Sequence, residues 1–245
     1  MSECKPLLTP IEPGVSLTLD MSPKTNEEVK AMESVPYLAA VGSLMYLAIT
    51  TRPDIAFAVG ILGRFNHNPG PCHWLAVKHL FHYLKGAIDY KLTYGPDTGG
   101  NQLFTTYTDA DHGGNKDNGR STGSYVTCVG GGAIDWRSWL QHFVTLSTTE
   151  AEFMAAIEAG KAIKWTKNIL QEFEYPVDYP STLFIDNQSA LTVSKNPEHH
   201  GRMKHLDLCF FWLCDQVKVK VISPVYIPTT DQSLTYSLKL YHEQW

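Results

Sequence analysis

Long apolar runs, paired cysteines and an excess of positive charge are all missing from this sequence. No stretch of about 18 or more consecutive apolar residues occurs, so neither a membrane-spanning helix nor a membrane partner is expected. The N-terminal MSECKPLLTP has one lysine and no apolar run behind it, which does not read as a secretory signal. The cysteines (Cys4, Cys72, Cys128, Cys209 and Cys214) are odd in number and form no CxxC pair. A disulfide framework and a zinc module are therefore disfavoured, and the expected setting is intracellular and reducing, cytoplasmic or nuclear. Lys and Arg total 20 against 25 Asp and Glu, a net charge of −5. Nucleic-acid binders usually present a basic surface. A site built of carboxylates would itself add negative charge, which metal ions offset locally. Charge alone excludes little. No internal repeat is visible.

Hydrophobic residues make up 43% of the chain, enough for a substantial core. Residues 1–35 are rich in Pro, Glu and Lys and read as an extended lead-in. Three helix-like segments follow, at 37–50, 53–66 and 73–87, within a small helical segment spanning 36–95. Pro53 suits the first turn of the second, and Gly86 ends the third. The turn-rich PDTGGNQ (96–102) marks a boundary. Beyond it the period changes. Strands are expected at 103–111, 121–130 and 133–138, with KDNGR (116–120) as a hairpin-type turn. Helices are expected at 148–159 and 161–174, a buried strand at 183–186, helices at 188–195 and 205–217, and a last strand at 220–228. Antiparallel strands first, then alternating helix and strand, give an α/β layout with a mixed sheet.

Three acids stand at telling positions in this layout. Asp109 ends the first expected strand, Glu152 lies one turn into a helix, and Asp186 ends a later strand. Asp111 shares a strand face with Asp109 by the period of two. Ends of strands are where open α/β sheets place their sites. Ser147-Thr148-Thr149-Glu150 fits a capping box, with Glu150 bonding back to the Ser147 N-cap, so Glu150 reads as structural. Glu152 instead heads a stripe of Ala155, Ala156 and Ala159 that would let its helix approach the sheet. Carboxylates are the oxygen donors that magnesium or manganese requires. Two such ions about 4 Å apart can activate a water and stabilise the leaving oxygen in phosphoryl displacement.

The strings YTDADHGG, NGRSTGSYV, TLSTTEAEFMAA, DNQSA, KNPEHHGRMKHLDL and YIPTTDQ resemble, in order, the ribonuclease H domain of Ty/copia-type retrotransposon Pol polyproteins. The upstream run PYLAAVGSLMYLAITTRPDIAFAVGIL and HWLAVKHLFHYLKG resembles the reverse transcriptase thumb or connection segment that precedes that domain. The resemblance implies a ribonuclease H-like mixed five-stranded sheet with flanking helices at 102–232, preceded by the small helical segment. It implies metal-dependent endonucleolytic cleavage of RNA in RNA–DNA hybrids. Asp109, Glu152 and Asp186 would be the catalytic metal ligands, and Mg2+ or Mn2+ the cofactor. The partners would be the hybrid and the upstream polymerase part of the same polyprotein. The polymerase's own paired aspartates are absent from this chain, so no polymerase active site is expected in it. An integrase-like transferase shares the metal chemistry but carries its last acid on a later helix with different flanking sequence.

The chain departs from the family pattern in three places. The family's C-terminal DQ-x-A-D-x-L-T-K reads here Asp231-Gln232-Ser233-Leu234-Thr235-Tyr236, without the fourth acid; Asp231 is three residues out of place. Cys209 and Cys214 stand where related elements commonly carry Arg, which suggests mutational decay. Residues 233–245 form a divergent tail. A catalytically impaired remnant that at most binds nucleic acid is therefore the alternative reading. Lys195, Arg202 and Lys204, with His199, His200 and His205, form a loop able to contact phosphates. His112 and His142 lie near the site segments and read as surface or packing residues.

Overall fold

The computed structural model describes residues 4–95, 104–175, 177, 180–195 and 207–228. They divide into two compact units, the first running to Lys91 and taking in Asn115–Gly119, the second comprising Leu92–Gly114 and the described residues from Arg120 onward. Among the described residues no single helix is long and apolar enough to cross a membrane.

The first unit is helical. The expectation of an extended lead-in is corrected at α1 (Asn26–Glu33). It opens on a capping box: Thr25 Oγ1 accepts from Glu28 N–H at 3.2 Å, and the Glu28 carboxylate accepts from Thr25 N–H at 3.2 Å. Helix α2 (Tyr37–Thr50) is followed by a short 3-10 turn at Pro53–Ile55 and by α3 (Ala56–Gly63). Helix α4 (Pro71–Gly86) starts with proline at its first position, where no intrahelical N–H is lost. Leu44, Ile55, Val59, Leu62, Val77 and Leu80 form its core, each essentially excluded from solvent. Each such side chain contributes about 1.5–3 kcal/mol through burial.

Two polar knots lie within this apolar interior. Arg52 grips Asp54 through Nε (2.8 Å) and Nη2 (2.6 Å), Tyr83 Oη donates to Asp54 at 2.8 Å, and Arg52 Nη1 donates to Ala87 O. Burial alone would lower the Arg52 pKa, but the Asp54 partnership outweighs it and the guanidinium is held above its usual value. In the second knot, His73 stacks on Phe65 with ring centroids 3.9 Å apart. Its Nδ1 accepts from Gly70 N–H at 2.8 Å. Gly70 admits no side chain, because a Cβ there would collide with the Met21 carbonyl.

The second unit is a five-stranded mixed sheet in the order β3-β2-β1-β4-β5. Its strands are β1 (Phe104–Ala110), β2 (Thr122–Val129), β3 (Gly132–Leu140), β4 (Ser181–Ile185) and β5 (Ile222–Tyr226). β1, β2 and β3 pair antiparallel, while β4 pairs parallel with both β1 and β5. This is the mixed sheet with flanking helices expected from the sequence. The two helices expected at 148–159 and 161–174 are in fact one, α5 (Thr148–Glu172). Gly160 does not stop it, because a buried glycine here serves close packing: a Cβ would sit 3.1 Å from Leu213 and Ile222 side-chain atoms. α6 (Gln188–Lys195) and α7 (Asp207–Lys218) complete the unit. Phe153, Ile157, Ile163, Leu183, Ile185 and Leu213 centre its core.

Candidate metal centre

Asp109 is the penultimate residue of β1, opposite Ser124 of β2. Ser124 Oγ donates to the Asp109 carbonyl at 3.3 Å, which steadies this strand end. Next to β1 lies β4, in register from Thr105↔Thr182 to Thr108↔Ile185, so the chain leaving β4 delivers Asp186 beside Asp109. Asn187 then turns the chain: its Oδ1 accepts from Ala190 N–H at 3.0 Å, and α6 begins. Two carboxylates are thus brought together by a parallel ladder and a tight exit.

Glu152 arrives from α5. Ala155, Ala156 and Ala159 are wholly buried, as the small-residue stripe predicted. Glu152 itself is only 6% exposed, an environment in which a carboxylate needs compensating partners. Oxygen atoms of Asp109, Glu152 and Asp186 all lie within 4.8 Å of one another. Oxygens on opposite sides of one magnesium ion are about 4.2 Å apart, and larger cations span somewhat more. Three hard oxygen donors at this spacing, on three separate elements, fit a divalent cation.

The other acids nearby act structurally. Asp111 lies past the end of β1 and accepts from Thr122 N–H and Gly114 N–H, fixing the turn into β2. Ser147 Oγ accepts from Glu150 N–H at 3.2 Å, as a helix N-cap does. The expected return bond is displaced by one residue: the Glu150 carboxylate accepts from Leu146 N–H at 2.6 Å, not from Ser147. Glu150 is structural, as expected, but it ties down the approach to the helix rather than the cap.

The binding-surface expectations fare differently. Lys195 is exposed in the last turn of α6. Arg202, Lys204, His199, His200, His205 and Asp231 lie outside the described residues. So does the side chain of Cys209. Cys214 is buried, its thiol facing the Val193 carbonyl, so this position contributes to the core and not to a phosphate track. Burial pushes its thiol pKa up. His112 is exposed and donates from Nε2 to the Thr145 carbonyl at 3.3 Å; His142 is exposed.

One group of buried polar residues was not anticipated. Ser121 Oγ accepts from Gly113 N–H and pairs with Thr145 Oγ1 at 2.9 Å. Gln141, at the end of β3, donates from its backbone to Ser121 O and from its side chain to Ala151 O. In sequence these are isolated polar residues at the margins of the expected strands, with no period that marks them as buried.

No family model matches the chain. It is 43% identical over 232 residues to the retrovirus-related Pol polyprotein from transposon TNT 1-94 of Nicotiana tabacum, covering 94% of this chain and 17% of that one. It is 34% identical over 233 residues to the corresponding polyprotein from transposon RE2 of Arabidopsis thaliana, covering 95% of this chain and 15% of the relative. The chain therefore spans less than a fifth of the length of these relatives. Among solved structures it is similar to LC11-RNase H1 isolated from compost, at a TM-score of 0.43 and 18% identity, over 56% of this chain and 93% of that one.

Proposed function

We propose that this chain, which belongs to the Pol polyprotein family of Ty/copia-type retrotransposons, carries a metal-dependent ribonuclease H activity in its α/β unit. The substrate would be an RNA–DNA hybrid, cut endonucleolytically in its RNA strand to leave a 5′-phosphate. The observation that carries this reading is the meeting of three carboxylates, from β1, α5 and the end of β4, within 4.8 Å. Asp109, Glu152 and Asp186 would hold Mg2+ or Mn2+. When bound, such ions activate a water and stabilise the leaving oxygen of an in-line displacement. The three residues would hold the cation at the end of the sheet. Lys195 offers an exposed positive charge to a backbone phosphate, and the sequence adds Arg202 and Lys204 a few residues on. The hybrid would be recognised by backbone shape and the 2′-hydroxyl rather than by base sequence.

Residues 102–232 are assigned to the ribonuclease H-like domain, 36–95 to a connection-like segment, and 233–245 to a divergent tail. The upstream polymerase part of a longer polyprotein is the proposed partner of the connection-like segment. Leu38, Tyr46 and Ile49 of α2, each about two-thirds exposed, support a role in covering such a partner.

A second reading has its own observation. Asp231-Gln232-Ser233-Leu234-Thr235-Tyr236 lacks the fourth acid of the family pattern, which favours a remnant that binds nucleic acid without cleaving it. The test is incubation of the purified chain with a labelled RNA–DNA hybrid and Mg2+ or Mn2+, beside Asp109→Asn. Cleavage confined to RNA in the hybrid and lost in the variant is the outcome expected for the enzyme. A folded chain that leaves the hybrid intact supports the remnant, and insertion of an Ala-Asp pair after Gln232 should then raise activity sharply.

A further inference from the structure

We infer that Gln141 is a positioning residue for Glu152, holding the first turn of α5 at the distance from the sheet that the metal centre requires. The inference rests on the reading of Asp109, Glu152 and Asp186 as a cation site. Asp109 and Asp186 have their relative places fixed by the β1–β4 ladder. Glu152 has no ladder; it rides on a helix whose N-terminal turn must be tied to the sheet by side chains. Gln141 supplies such a tie at the residue next to Glu152. Its Nε2 donates to the Ala151 carbonyl at 2.9 Å. Its backbone N–H donates to Ser121 O, one residue before β2, at 2.8 Å. One residue thus joins the β2–β3 end of the sheet to the turn of α5 that carries the acid.

The chemistry fixes the orientation of the amide. A carbonyl only accepts, so the nitrogen of Gln141 must face Ala151. Gln141 is 2% exposed, so water does not replace the bond if it is lost. Its Oε1 has no partner among the described residues. The bond to Ala151 is therefore the side chain's one directional contact among the described residues. Partners outside the ligand set commonly alter metal affinity about 10- to 100-fold by orienting a ligand.

The experiment is calorimetric titration of Mn2+ into the full chain, with urea unfolding of each protein alongside. Gln141→Met keeps the length and removes the donor. Gln141→Leu removes both polar atoms at nearly constant size, and it serves if the first variant fails to fold. Ile222→Val, a small core truncation in β5, is the comparator; it should lower the urea midpoint without touching the tie to α5. The expected result is Mn2+ binding about 10- to 100-fold weaker in the Gln141 variants and unchanged in Ile222→Val. Wild-type affinity in both folded Gln141 variants overturns the inference while leaving the site reading intact. Equal weakening in Ile222→Val also overturns it, since the effect would then follow general stability. A wild-type chain that takes up no Mn2+ overturns the site reading and this inference with it.

Discussion

The two units bury charge in opposite ways. In the helical unit the buried acid Asp54 is gripped by Arg52 and capped by the Tyr83 hydroxyl, so opposite charges close on one another. In the α/β unit three acids converge within 4.8 Å, and the charge in that group has a single sign. A matched pair offsets its own charge and needs no added ion. A cluster of like charges costs stability through repulsion and gains from an added cation. The burial of a carboxylate therefore does not by itself mark a site; the sign of what surrounds it does.

The comparison is broken most forcefully at Asp54. Asp54→Ala leaves the Arg52 guanidinium in a pocket where its side chain is only 13% exposed. Removing one member of a buried pair typically costs about 3–5 kcal/mol. Urea unfolding of the full chain should show this loss whether or not metal is present. Mn2+ binding to the folded chain should be unaffected.

The metal centre should respond in the converse way. A cation that binds only the folded state adds about 2.7 kcal/mol when present at about one hundred times its dissociation constant. Saturating Mg2+ or Mn2+ should raise the urea midpoint of the wild-type chain accordingly, and a chelator should reverse it. Glu152→Gln should fold, yet lose both the metal-dependent gain and hybrid cleavage. A full metal response in Glu152→Gln would remove Glu152 from the ligand set.

Glu150 sharpens the contrast within one helix turn. It is as buried as Glu152, but its carboxylate is committed to Leu146 N–H. Glu150→Gln should cost about 0.5–1.5 kcal/mol of stability, the worth of a weakened hydrogen bond. Mn2+ affinity, read by calorimetry, should remain at the wild-type value.

Much of this contrast could be read in the sequence, for identifiable reasons. Asp109, Asp186 and Glu152 stand out in sequence because strand ends and a capped helix start leave local signals, and the fold brings their oxygens within 4.8 Å of one another. Pro53 and Gly86 were found because their backbone constraints are local. α1 opens on a capping box spelled by Thr25 and Glu28, but it lies in a Pro-, Glu- and Lys-rich segment whose composition reads as extended. The break expected at Gly160 was wrong because a glycine that stops a helix and one that admits neighbouring side chains look alike in sequence. The burial of Cys214, and the roles of Ser121, Thr145 and Gln141, depend on contacts between residues far apart in the chain. No local period announces those contacts.

His73 offers the mildest test of how the helical unit handles its own charge. The ring is stacked on Phe65, accepts from Gly70 N–H at Nδ1, and donates from Nε2 to the Thr18 carbonyl at 3.1 Å. A second proton would have to sit on Nδ1, where it would displace the Gly70 N–H. Burial lowers the folded-state pKa below the ordinary histidine value, against an opposing contribution from the Thr18 carbonyl. The unfolded chain therefore takes up this proton first as pH falls. The contribution of neutral His73 is fully present above about pH 6.5, the unfolded value. It declines as pH drops through that value, and levels off below the lowered folded pKa. Urea midpoints measured from pH 8 to pH 5 should fall in this window for the wild type. In His73→Gln, which has no proton to gain, that component of the slope should vanish. An identical slope in both proteins would assign the pH dependence to other groups and leave the Arg52–Asp54–Tyr83 knot as the unit's main electrostatic support.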